Sequence, residues 1–149
     1  MSPTRKVWIM RKTSINSLLA AAALVAVGLA CSATTANISN LKIGKDQAVS
    51  SEASTFHASD PIYAVATISN APGKVKVRGR LVIEDVPGQQ AGPAPGLEKT
   101  LDLAGSGTAT YSFTPPPDGW PPGKYKIEVT LMDEAGAQKD QKTASFSVS

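Results

Sequence analysis

The chain has 149 residues, about one domain's worth, and its 42% apolar and 18% charged residues make it too apolar for wholesale disorder. One cysteine excludes an intramolecular disulfide, and one histidine excludes a His-pair metal site. Residues 1–30 carry four of the 15 basic residues (Arg5, Lys6, Arg11, Lys12) and no acid, so the remainder holds 11 basic against 12 acidic residues, a net of −1 that argues against a nucleic-acid partner.

Residues 18–30 (LLAAAALVAVGLA) form an unbroken run of 13 apolar residues behind that basic segment. A permanent membrane span needs about 20 such residues, so the run is expected to be a secretory signal, cleaved on export. Met10 opens a compact basic stretch, MRKTSINS, directly before it and is the expected start in place of Met1, a longer basic region from Met1 being the alternative. Arg11-Lys12 is not a twin arginine, which favours export of the unfolded chain.

Cys31 follows immediately, in Val27-Gly28-Leu29-Ala30-Cys31. This resembles the bacterial lipobox, in which small residues precede a cysteine that takes diacylglycerol before cleavage; Gly28 stands where leucine is preferred. The resemblance implies a lipoprotein signal peptide over 1–30, a lipid on Cys31 as the membrane anchor, and a small polar tether over 31–37. Ser32, where an Asp would signal retention, implies outer-membrane sorting facing the periplasm. A soluble periplasmic or secreted chain cut at Ala33 or Ala36 is one alternative, and a retained uncleaved anchor is another.

Strands are expected through the rest of the chain, residues 38–149. Leu41 with Ile43 opens the series weakly. Residues 61–69 (PIYAVATIS) are apolar on both faces, as a central strand would be, with Pro61 at its first position. Val75, Val77, Leu81 and Ile83 then alternate with Lys74, Lys76, Arg78 and Arg80. Leu97, Leu101 and Leu103 give a weaker strand. Ala109, Tyr111 and Phe113 alternate with Thr and Ser, as do Ala144, Phe146 and Val148; Tyr125, Ile127, Val129 and Leu131 alternate with Lys124, Lys126, Glu128 and Thr130. Period two marks strands with one dry and one wet face. Turns fall at 70–73, at 105–107, expected as a hairpin, and at 134–137. The Pro/Gly/Gln-rich segment 86–96 is expected as a mobile connector. About seven strands and no helix after the signal predict a single all-β, antiparallel, Ig-like β-sandwich of about 100 residues.

Two patterns, residues 56–65 (FHASDPIYAV) and residues 118–127 (DGWPPGKYKI) with the closing Phe146-Ser-Val148, resemble the Ig-like or fibronectin-III-like domains of bacterial envelope lipoproteins, mostly without assigned activity. The Gly-x-Tyr entry at Gly123 and Tyr125 is similar to the tyrosine corner of such sandwiches, which implies a hydroxyl tied back to upstream backbone. The chain departs from true Ig domains in lacking both cysteines and a third-strand tryptophan.

Candidate sites are few. His57 lies near Ser54, Ser59 and Asp60, but neighbours within one loop rarely reach triad geometry and no nucleophile-elbow glycines surround a serine, so no catalytic residue is assigned. His57 with Met132 underfills a copper sphere, and Glu84-Asp85 and Asp133-Glu134 point to opposite faces of their strands, so no metal and no cofactor are expected. Trp120, set among prolines, either caps the end of the core beside Tyr125 or contacts a glycan or peptide. Lys74, Lys76, Arg78 and Arg80 share one strand face, and pairing of that strand with the penultimate one would bring Lys124 and Lys126 alongside. Such a stripe either suits an acidic envelope component or is a solvated face balanced by Glu128 and Asp140. The expected function is a non-enzymatic, lipid-anchored envelope protein of binding or structural type, meeting an acidic component or another envelope protein. A periplasmic accessory domain binding glycan or peptide through Trp120 is the alternative.

Overall fold

The computed structural model describes residues 35–149, and the expected signal peptide, Cys31 and most of the expected tether lie outside the described residues. Eight strands and no helix make up the described chain: β1 (Asn37–Gly44), β2 (Thr55–Phe56), β3 (Ile62–Ser69), β4 (Val75–Asp85), β5 (Gly92–Leu103), β6 (Gly107–Phe113), β7 (Gly123–Asp133) and β8 (Gln138–Val148). They form a three-stranded sheet, ordered β1-β3-β6, and a five-stranded sheet, ordered β2-β8-β7-β4-β5. The two pack face to face as a β-sandwich. No helix among the described residues is long and apolar enough to cross a membrane.

The alternation read from the sequence is what builds the core. Ile62, Ala64, Ala66 and Ile68 of β3 are buried, as are Val75, Val77, Leu81 and Ile83 of β4 and Tyr125, Ile127, Val129 and Leu131 of β7. These inward faces meet between the sheets, where each buried aliphatic side chain contributes about 1.5–3 kcal/mol of transfer free energy. Tyr125 donates its hydroxyl to the Pro121 carbonyl at 2.6 Å, the tie to upstream backbone that a tyrosine corner makes.

Four expectations change. β2 is an extra strand, and it pairs parallel to β8, so the fold is not wholly antiparallel. Two residues cannot show a period, and β2 is held by the sheet edge it joins. The ordered domain begins before residue 38, because Ala36 is buried and β1 begins at Asn37. The connector is shorter than 86–96: β5 starts at Gly92, and Pro93 faces Val82 across the ladder. Proline is tolerated there because β5 is an edge strand with one side of its backbone unpaired. The turn at 105–107 joins strands of different sheets and is not a hairpin. Tyr111 of β6 stands over Gly79 and donates its hydroxyl to the Val77 carbonyl at 2.7 Å, which seats β6 above β4 rather than beside β5.

This connectivity gives the sandwich two dissimilar ends. β1 enters opposite Ser69, and the turns at 70–74, 104–106 and 134–137 lie at the same end. The long loops at 45–54, 86–91 and 114–122 lie at the other end, an 11-residue β7 away, or roughly 33 Å.

Candidate functional site

At the long-loop end, β5 departs from β4. Arg80 pairs with Glu98 and Val82 with Pro93, so four residues, 94–97, face one residue of β4 and bulge away from the ladder. Ala94, Pro95 and Leu97 of this bulge form one wall of a cleft of about 380 Å³. Leu81 and Ile83 form its floor, Pro116, Trp120, Pro121 and Tyr125 the opposite wall, and Gln89 and Asp118 are its polar lining.

Trp120 is no exposed platform. It is 3% exposed, its indole N–H donates to the Asp60 carbonyl at 2.9 Å, and its backbone N–H donates to the Ala58 carbonyl at 2.8 Å. A tryptophan with its one donor satisfied inside the fold caps the core, as the packing against the 58–60 segment requires. Gly119 permits the approach: its φ is +79°, and a Cβ there would stand 3.0 Å from the Ala58 carbonyl oxygen. Trp120 therefore serves the cleft as buried wall.

Asp60 organises the same end. One of its oxygens accepts from the His57 backbone N–H at 2.8 Å, meets the Lys45 ammonium at 2.7 Å, and lies 3.2 Å from His57 Nδ1. The His57 N–H first, and Lys45 next, draw the carboxyl down to about 2 from an ordinary 3.8. A depressed carboxylate contributes stability above its unfolded value and loses it as pH falls. Asp60's contribution is thus expected to be whole above about pH 4 and gone near pH 2, and Asp60→Asn should flatten that part of an acid-denaturation profile. Equal acid sensitivity of the two proteins would remove Asp60 from this role. The His57 side chain is 73% exposed, and Asp60 is its hydrogen-bond partner; no serine hydroxyl among the described residues bonds to the ring. Among the described residues no three His, Cys, Asp or Glu side chains group as a metal site.

The basic stripe lies on the outward face of the larger sheet, interleaved with acids. β4 pairs with β7, the penultimate strand. Lys76 stands opposite Asp102 and Met132, Arg78 opposite Thr100 and Thr130, and Arg80 opposite Glu98 and Glu128. Arg80 Nη2 and Nε meet one oxygen of Glu128, itself only 8% exposed, at 2.6 and 2.7 Å. Lys126 reaches Glu84 at 3.7 Å, and Lys124 faces Asp85 across the ladder. Asp140 balances none of this stripe, because it accepts from the Ile38 N–H at 2.8 Å and joins β1 to β8. Among the described residues, the cations of the stripe without an ion partner are Lys74, Lys76, Arg78 and Lys124; Arg78 Nε is buried without a hydrogen bond. Asp133 is occupied by its own turn, accepting from the Ala137 N–H and pairing with Lys139, and both contacts hold its carboxyl below the ordinary range.

No protein-family model and no curated protein matches the chain. Among solved structures it is similar to a Niemann-Pick type C2 protein from the Japanese carpenter ant, at 14% identity over 80% of this chain and 96% of that one, TM-score 0.46. It is similar to a β-glucosidase mutant from Listeria innocua at 17% identity and TM-score 0.49, covering 74% of this chain but 16% of the glucosidase. A third likeness is to the PmoD soluble domain from Methylocystis sp., at 19% identity over 74% and 90% of the two chains, TM-score 0.43. At such identities and scores none of the three bears on function.

Proposed function

We propose that the chain is a non-enzymatic, Ig-like module of the bacterial cell envelope, held at the outer membrane by a lipid on Cys31 and presenting its far end to a partner. The supporting observation is the placement of entry and cleft. The chain enters the sandwich at Asn37, and the cleft walled by Trp120 and the β5 bulge opens at the opposite end. Five residues separate Cys31 from Asn37, a reach of at most about 20 Å, so a lipid there would hold the entry end close to the membrane and aim the cleft away from it. The resemblance to the sandwich domains of envelope lipoproteins points the same way. Lys74, Lys76, Arg78 and Lys124, the unpaired part of the stripe, are the residues an acidic envelope component would meet.

The mass of the mature protein from the membrane fraction of expressing bacteria tests the tether. An N-terminus at Cys31 carrying acyl mass, absent from Cys31→Ala, is the expected result. A soluble, unmodified chain beginning near Thr34 or Asn37 would overturn it. The apolar lining of the cleft supports a second reading, an accessory domain for periplasmic glycan or peptide. A fluorescence change of Trp120 on adding such ligands separates it from the first, in which only proteins co-purify.

A further inference from the structure

We propose that the free edge of β6 docks an extended segment of a partner protein, apolar at alternate positions and carrying one acidic side chain aimed inward. This rests on the reading of the chain as a presenting module and adds the class of partner.

The two sheets are unequal. Tyr111 sets β6 over β4, so β5, one strand further out, has nothing of the smaller sheet above it. Leu101 and Leu103 of β5 stand opposite Val77 and Val75 and share their inward face; with Leu97 they are only partly buried. A fourth strand added beside β6 would lie over this overhang and cover those leucines.

Four strands are sheet edges, and three of them are blunted. β1 carries a register break between Ile38 and Asn40 and the charge of Lys42. β2 is two residues long, and the edge of β8 that it leaves open carries the charges of Lys139, Asp140 and Lys142. β5 holds Pro93, Pro95 and three charged residues, Glu98, Lys99 and Asp102. These are the devices by which natural sheets refuse a further strand. β6 (GTATYSF) has seven residues, no proline, no charge and no register break against β3, and only β3 pairs with it. Its outward N–H and C=O groups match another strand, and a lipid or a glycan would leave most of that row unanswered.

Lys99 gives the occupant its chemistry. It stands opposite Gly79, on the inward face of β5, exposed and without an ion pair among the described residues. An acid on the inward face of the incoming strand would meet it. β6 contains no acid, so a second copy pairing edge to edge would leave Lys99 unanswered. The lane between β5 and β6 is closed at one end by the turn at 104–106, and at the other it runs out to the cleft walled by Trp120. The segment therefore enters from the long-loop end and spans about the seven residues of β6.

The test uses the full chain and labelled seven-residue peptides of alternating valine and threonine, with one inward position occupied by glutamate or by lysine. Binding is read by anisotropy and the docking place by amide hydrogen exchange. The glutamate peptide is expected to bind and to slow exchange along β6, Gly107–Phe113. Lys99→Glu, which removes no contact the fold uses, should weaken that peptide by about tenfold or more and turn the preference to the lysine peptide. No binding up to about 1 mM, binding indifferent to Lys99→Glu, or β6 protected by self-association without peptide would each overturn the strand site. Protection confined to residues 115–121 would also overturn it, while leaving the presenting module in place. The Cys31 mass measurement judges the tether independently of all these outcomes.

Discussion

Trp120→Ala is expected to destabilise the sandwich by about 4 kcal/mol, within the range for deleting a buried large aromatic. The side chain is 3% exposed and closes the long-loop end of the core beside Tyr125. Its loss opens the 380 Å³ cleft into that end and leaves the Asp60 carbonyl without its donor. Trp120→Phe separates the two contributions. It keeps an aromatic body but not the N–H, so about 1–2 kcal/mol is expected. Urea unfolding of both variants checks the order, alanine worse than phenylalanine. If alanine cost less than about 0.5 kcal/mol, the range for side chains away from the core, the indole would have to be exposed in solution.

Gly79→Ala should cost about 3 kcal/mol, although glycine to alanine in a strand interior ordinarily gains about 0.5–1 kcal/mol. The sign reverses because the ring of Tyr111 occupies the space a side chain would need. A Cβ on Gly79 would stand 2.6 Å from Cε1 of that ring, and both Gly79 and the ring are buried. The ring cannot withdraw without giving up its hydroxyl's bond to the Val77 carbonyl. Burial holds the phenol of Tyr111 in its neutral form, pushed above the ordinary value of 10, so the bond survives mild alkali. A double-mutant cycle isolates the clash. In a Tyr111→Ala background, itself costly, Gly79→Ala should be close to neutral, giving a coupling of about 2–3 kcal/mol. Additive costs would mean that the ring and the glycine do not share that space.

The strands β4, β6, β7 and β8 were legible because apolar residues alternate along each, although the second face of β7 is not wet as expected, Glu128 and Thr130 being buried there. Tyr125 was legible too, since Gly-x-Tyr before a strand has a local meaning that its bond to Pro121 carries. What could not be read is whatever depends on pairing. Gly92 and Pro93 look like loop by composition, and only their pairing with Ile83 and Val82 of β4 makes them strand. Gly79 looks like a gap in an alternating pattern until Tyr111, 32 residues later, is placed above it. The basic face of β4 shows in the spacing, but the acids opposite it, Asp102, Glu98 and Glu128, come from two other strands whose register the sequence does not print. The cleft belongs to the same class, for its wall is a bulge defined by four residues facing one.

The two ends of the described chain leave the sandwich at opposite poles, Asn37 beside Ser69 and Ser149 beside Phe56. A pull between them runs along the strands. Within each terminal ladder, β1 on β3 and β8 on β7 and β2, the bonds then share the load in shear, and none can be peeled one at a time from a free end. Rupture in this direction requires an entire strand to slip against its neighbour at once. Held at one pole and tugged at the other, the domain behaves as a stiff link, and tension raises the barrier-limited lifetime question rather than the equilibrium one.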